Sequence, residues 1–244
     1  MITDARVLKD DFLPSEVKHR DAEVNQLTRA LEPIVQGGEG EDTFLFGPTG
    51  VGKTCISRYV VEQLQSEVLD VEYQYVNCWQ DYNRFKVLYR ILEGVNRTFD
   101  IHRKSTPKDE LVERLSGYDD APYIVILDEV DQLDDWDVLY DLYMQSNLTT
   151  IMIANREEEL FAEMDERVVS RFQSSARISF DRYRVDELVS ILGDRAEWGL
   201  EPDAVDDDEL EMIADAAGGD ARVAIGILRN VARQADAENA EEIT

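Results

Sequence analysis

The stretch Gly47-Pro48-Thr49-Gly50-Val51-Gly52-Lys53-Thr54 constrains this chain more than any other. It satisfies G-x-x-x-x-G-K-[ST], the pattern of a loop that cradles phosphates. Thr43-Phe44-Leu45-Phe46 before it read as a short buried strand. After it, from Cys55 to Gln65, apolar residues recur at helical spacing (Ile56, Val60, Val61, Leu64). Strand, glycine-rich loop and helix is the context such a loop requires. Its glycines let backbone N–H groups turn inward around phosphate oxygens, and the new helix directs the positive end of its dipole at them. Gly47, Gly50, Val51, Gly52, Lys53, Thr54 and Cys55 are the candidate nucleotide-binding residues. Lys53 is expected to reach the β- and γ-phosphates, and Thr54 Oγ1 to hold Mg²⁺.

At 244 residues the chain can bury a substantial core and hold one large or two smaller domains. No apolar run approaches the roughly 20 residues a membrane helix needs. The first residues, Met1 to Arg6, lack the charged-then-apolar pattern of a signal peptide. The expectation is a cytoplasmic protein with no membrane partner. Cys55 and Cys78 make no metal or redox motif and read as small packed side chains.

Charge is the second informative feature. Asp plus Glu number 53 and Lys plus Arg 25, a net of −28, and only six of the basic residues are lysine. Such an excess produces strong self-repulsion in dilute buffer. At molar salt the Debye length falls to about 3 Å and the repulsion is screened. Acid spread along the whole chain, rather than blocked into a tail, reads as a protein of a salt-accumulating halophile; mimicry of nucleic acid is the competing reading. Two windows escape the acidity. Arg97 to Lys108 carries Arg97, Arg103, Lys104 and Lys108, and Arg167 to Arg184 carries five arginines. Such islands point to anionic ligands or neighbouring subunits.

Along the chain, Leu13-Pro14 breaks a polar arm, and Asp21 to Leu31 has helical spacing. Val71 to Cys78 alternates as a strand does. Arg84 to Val95 and Pro107 to Leu115 read as amphipathic helices, the second with Thr106 as its N-cap. Tyr123 to Leu127 and Thr149 to Ala154 are continuous apolar runs, as in strands buried on both faces of a parallel sheet. Arg177 to Phe180 is a shorter strand. Strands alternate with helices up to that point, so the fold class is α/β. Val185 to Leu192, Asp208 to Ala217 and Arg222 to Ala237 are helices, the last two parted by Gly218-Gly219. A boundary near Asp181 divides an α/β domain (1–180) from a small all-α domain (181–244).

Leu127-Asp128-Glu129 ends the most apolar strand. An acid there emerges at the C-terminal edge of the sheet, where α/β proteins bind ligands. Asp128 is the candidate Mg²⁺ holder at one remove, through the ion's water, and Glu129 the candidate general base for an attacking water. Asn155 ends the next buried strand, where an amide can orient that water or contact the γ-phosphate. Arg171 follows a helix and is placed to reach a neighbour's γ-phosphate as an arginine finger. Arg222 begins a helix of the small domain, from which a cation could sense the γ-phosphate.

Together the phosphate loop, Leu127-Asp128-Glu129, Asn155, Ser170-Arg171 and Gly219-Asp220-Ala221-Arg222 resemble the Walker A, Walker B, sensor 1, arginine-finger and sensor 2 elements of the AAA+ ATPases. Within these the chain resembles the archaeal and eukaryotic origin-recognition (Orc/Cdc-type) replication initiators. The cues are His19-Arg20, Tyr75-Val76-Asn77-Cys78, Leu127 to Asp131, and Tyr183 followed by Glu187-Leu188, Ile191-Leu192 and Arg195. Tyr75 to Cys78 and Tyr183 set it apart from DnaA-like and transposition-type ATPases.

The resemblance implies an ATP/ADP switch with Mg²⁺, and slow hydrolysis. It implies a parallel five-stranded sheet with helices on both faces, its sensor 1 strand between the Walker strands, followed by a helical lid. It adds Tyr183 and Arg195 to the nucleotide contacts. It implies double-stranded origin DNA and other AAA+ initiator protomers as partners, with a DNA-touching helical insertion within Asn96 to Leu115. Residues 103–106 lack the glycine that such an insertion carries. The family's C-terminal winged helix would begin where Glu241-Glu242-Ile243-Thr244 stand, so the expectation is a chain without it and with weak DNA contact. Two functional readings follow: a switch in origin recognition or helicase loading, or a nucleotide-gated module that regulates full-length initiators without touching DNA.

Overall fold

The computed structural model describes residues 1–68, 70–102, 106–238, 240 and 243. Arg103 and Lys104 of the first basic window, and Glu241, Glu242 and Thr244 near the end of the chain, lie outside the described residues. The chain forms two compact units. One comprises Ala22–Phe46 and Ile56–Ser179; the other comprises Met1–Asp21, Gly47–Cys55 and Phe180–Thr244.

The first unit is built on five strands: β1 (Thr43–Phe46), β2 (Glu72–Asn77), β3 (Tyr123–Asp128), β4 (Leu148–Ala154) and β5 (Ala176–Ser179). All neighbours pair in parallel, in the order β2-β3-β4-β1-β5. Every residue of β1 and β3 is buried, as is all of β4 after Leu148. That is why these strands read as unbroken apolar runs. The edge strands β2 and β5 are only partly covered and carry charge. The helices of this part of the chain are α1 (Asp21–Val35), α2 (Lys53–Glu67), α3 (Arg84–Gly94), α4 (Lys108–Ser116), α5 (Asp137–Tyr143), α6 (Glu157–Glu163) and α7 (Glu166–Arg171). Phe44 anchors an aromatic cluster, stacked on Phe46 at 5.6 Å and edge-on to Phe172 at 5.7 Å. Cys78 is fully buried, and burial drives its thiol far above the usual range, which leaves it unreactive.

Most of the expected elements are found within a few residues; α5, α6 and α7 come in addition, and the helix expected over Val185 to Leu192 runs on to Gly199. Thr106 does not cap α4; the N-cap is Pro107, without a side-chain bond. Thr106 Oγ1 instead accepts from His102 N at 2.9 Å. Helix α1 runs past Leu31 to Val35 and contains Pro33. Its last turn tolerates the lost N–H because buried Ile34 draws it onto the core.

Asp42, leading into β1, accepts from Thr150 N at 2.8 Å and Thr150 Oγ1 at 2.6 Å. Burial pushes its carboxyl pKa up, against the pull of both bonds. The folded state therefore holds the proton more tightly than the unfolded chain. The stabilisation this gives is full below the unfolded value and is lost as pH rises through the folded one. Asp42→Asn keeps the acceptor and removes the buried charge. Its melting temperature should exceed wild type by about 2 °C near pH 7, with the gap closing as pH falls; a lower value near pH 7 would refute this.

The second unit packs α8 (Val185–Gly199), α9 (Asp207–Ala217) and α10 (Ala221–Glu238) around Leu188, Leu192, Leu210, Ala214 and Leu228. Asp206 and Glu209 cap α9 reciprocally, and Gly218 ends it in the left-handed region at φ 57°. The N-terminal arm lies on this bundle. Ile2 bridges Leu200, Thr3 N donates to Gly199 O at 2.9 Å, and Leu8 is buried in the same core.

Candidate nucleotide-binding and hydrolysis site

The phosphate loop leaves β1 at Gly47 and enters α2 at Lys53. Gly50 and Gly52 adopt φ of 74° and 96°, open to glycine at little cost. A Cβ on Gly47 would stand 2.4 Å from Phe180 O, and one on Gly50 would stand 1.8 Å from Asp220 Oδ1. Lys53 is buried, and its Nζ donates to Gly47 O at 2.5 Å and Pro48 O at 2.7 Å. The ammonium is thereby held on the carbonyls of its own loop. Thr54 and Cys55 are half-buried in the first turn of α2, which carries no acidic side chain to oppose an anion.

The same unit brings the start of α10 to this loop. Ala221 N donates to Gly50 O at 2.9 Å, and Asp220 Oδ1 caps the helix by accepting from Val223 N at 3.0 Å. Arg222 is exposed in the first turn, where a cation faces the unfavourable end of the helix dipole. Tyr183 is buried with the guanidinium of Arg20 4.0 Å above its ring, and Arg20 Nη2 donates to Asp181 O at 2.6 Å. Arg195 is also buried. Its guanidinium donates to Val7 O at 2.6 Å and Phe12 O at 3.3 Å, and lies 4.7 Å from the Phe12 ring centre. Burial lowers its pKa, yet an arginine stays charged in practice. In this structure Arg195 fastens the N-terminal arm to α8.

In the sheet unit, β3 delivers Asp128 as a buried carboxylate. Its Oδ2 accepts from Tyr75 Oη at 2.8 Å, and its Oδ1 accepts from Glu129 N at 3.0 Å. Glu129 adopts φ 57° and ψ 46°, left-handed for a non-glycine residue, and a single 3-10 turn, Val130–Gln132, follows. Such a conformation costs on the order of 1–3 kcal/mol and recurs at functional sites. It breaks the strand and turns the Glu129 side chain out of it, half-exposed. Asn155 follows β4, the neighbour of β3, so it stands on the same sheet edge; its Nδ2 donates to Asp131 Oδ2 at 3.1 Å. Arg171 is exposed at the end of α7, its guanidinium 5.7 Å from the Tyr140 ring centre. Arg167, one turn earlier, lies over the same ring at 4.4 Å and pairs with Asp137. Among the described residues Arg171 itself has no ion pair.

Asp128, Glu129 and Asn155 thus share one edge, and Gly47 to Cys55 lie with the Asp220–Arg222 segment. Four residues that the resemblance includes without assigning them a role also take part: Tyr75, Asp131, Asp220 and Arg20. Asp220 alone carried a plain local signal, an aspartate immediately before a helix start. Among the described residues of the basic windows, Arg97 pairs with Asp120, Lys108 with Asp135, Arg177 with Glu157 and Arg184 with Asp186.

Among the described residues no group of three or more His, Cys, Asp or Glu could hold a metal ion. The oxygen donors that the sequence singles out are the Thr54 hydroxyl, in one unit, and the Asp128 carboxylate, in the other. Hard oxygen donors in such small number fit Mg²⁺, which is commonly held by one or two protein oxygens together with nucleotide phosphates and water. No described helix is long and apolar enough to cross a membrane.

Comparisons with known proteins bear on this arrangement. Residues 41–162 match the AAA domain family model, and residues 189–244 match the Cdc6 AAA+ ATPase-type lid domain. ORC1-type DNA replication protein 1 of Halobacterium salinarum is 55% identical over 244 residues, covering 100% of this chain and 79% of that protein. ORC1-type DNA replication protein 9 of the same organism is 52% identical over 244 residues, covering 100% of this chain and 69% of that protein. The Aeropyrum pernix ORC1 protein, solved in complex with DNA, superposes with a TM-score of 0.87 at 28% identity, covering 100% of this chain and 67% of that one.

Proposed function

The chain belongs to the ORC1-type family of AAA+ DNA replication proteins, and from that premise we propose that it is an ATP-dependent switch in origin recognition or helicase loading. The observation that carries the proposal is the pairing of features on one chain: a phosphate loop with Lys53 held on its carbonyls, and a strand ending in buried Asp128 and left-handed Glu129. Gly47 to Cys55 bind the phosphates. Thr54 and Asp128 hold Mg²⁺, which when bound neutralises charge on the phosphate oxygens. Glu129 takes a proton from the attacking water, and Asn155 orients that water. Arg171 acts on the γ-phosphate of a neighbouring protomer, a role supported by its exposure and by its having no ion pair among the described residues of so acidic a chain. Arg222 senses the γ-phosphate; a bound anion would reverse its poor fit to the α10 dipole. Tyr183 contacts the base with Arg20 behind it, and Arg195 acts through the arm it fastens. Residues 181–244 form the lid on this reading, and 1–180 the nucleotide-binding domain. Hydrolysis is slow, and nucleotide state rather than turnover is the output.

Double-stranded DNA is the proposed ligand of the assembled switch, as in the Aeropyrum pernix ORC1 complex. The second reading, a module that regulates other initiators through shared AAA+ faces, draws support from the internal pairing of Arg97 and Lys108. Fluorescence anisotropy of a labelled duplex in about 2 M KCl, where surface charge is screened, separates the two. Affinity that differs between ATP, ADP and no nucleotide is the expected result. No binding in any state, together with mixed oligomers formed with a full-length initiator, would replace the first reading by the second.

A further inference from the structure

Tyr75 sits on β2 beside β3, in a register that pairs it with Ile126 and Asn77 with Asp128. Its ring is half-buried, and its hydroxyl donates to Asp128 Oδ2 at 2.8 Å. The other carboxylate oxygen accepts from Glu129 N at 3.0 Å. The carboxylate is thus held at both ends.

We propose that Tyr75 is a positioning residue that fixes the Asp128 carboxylate for magnesium, and so sets how much Mg²⁺ the site needs to hold ATP. This rests on the reading of Asp128 as a magnesium holder. Two effects of the bond oppose each other. Donation draws charge from Oδ2 and weakens it toward a cation, whereas orientation stops the carboxylate from rotating away. Removing partners that orient metal-binding groups generally costs 10–100-fold in metal affinity, so orientation wins. Because Asp128 is read as holding the ion only at one remove, the effect would fall at the low end or below it, roughly three- to tenfold.

The test is a titration of Mg²⁺ against binding of a fluorescent N-methylanthraniloyl ATP, for wild type, Tyr75→Phe, Asp128→Asn and the double variant. Binding in EDTA gives the affinity without metal and verifies that each variant is folded. Tyr75→Phe should raise the Mg²⁺ concentration for half-maximal binding by about three- to tenfold, leave the EDTA affinity unchanged, and add nothing in the Asp128→Asn background. An unchanged Mg²⁺ requirement in Tyr75→Phe, or an effect that adds in full to that of Asp128→Asn, would overturn the proposal. An Asp128→Asn variant with the wild-type Mg²⁺ requirement would instead overturn the underlying assignment of Asp128. A fall in EDTA affinity for Tyr75→Phe would count against the proposal by assigning the residue to general packing.

Discussion

Lys53→Ala should abolish nucleotide binding, with a loss of at least about 100-fold in ATP affinity. Two effects add. The variant loses the charge-assisted contacts to phosphate, together worth about 3 kcal/mol or more. It also loses the bonds from Nζ to Gly47 O and Pro48 O that hold the loop closed on itself. The fold should survive, because Ile56, Val60 and Val61 of α2 remain buried. Isothermal calorimetry with ATP and Mg²⁺, alongside a melting curve, measures both quantities. Retained affinity in a folded Lys53→Ala protein would sink the phosphate-loop assignment.

Glu129→Gln should bind ATP like wild type and hydrolyse it about 10²–10⁴ times more slowly, the usual contribution of a positioned general base. The amide matches the carboxylate in size, and the left-handed backbone burdens a glutamine no more than the native glutamate. The Glu129 N–H bond to Asp128 Oδ1 is a backbone bond and is retained. Single-turnover hydrolysis of radiolabelled ATP separates binding from chemistry. Unchanged turnover would remove Glu129 from the base role and move attention to Asp131, whose Oδ1 is buried without a hydrogen-bond partner.

How much of this was legible before any coordinates differs by element. β3 and β4 were plain because strands buried on both faces cannot hide among polar residues, and the phosphate loop was plain because few other backbones need those glycines. The short helices α5, α6 and α7 were harder. Glu157-Glu158-Glu159 opens α6 as a run of acid, and only Leu160 of that helix is buried, which leaves little apolar spacing to detect. Thr106 does not cap α4, because its hydroxyl is engaged by His102 N. Tyr75 was visible only as part of a resemblance, since its role depends on the β2-β3 register, which no local pattern encodes. Asp220 and Gly50 meet across 170 positions of sequence, a contact that neither motif announces alone.

The central claim is that this chain is an ATP-binding switch that hydrolyses slowly, and one measurement addresses it most directly. Excess protein is mixed with radiolabelled ATP and Mg²⁺ in about 2 M KCl, where the charge of this chain is screened, and bound ATP and ADP are followed in time. The account predicts stoichiometric capture of ATP, conversion to ADP far slower than binding, and retention of the ADP formed. ATP that is not captured, or that is turned over rapidly with ADP released at once, would contradict it.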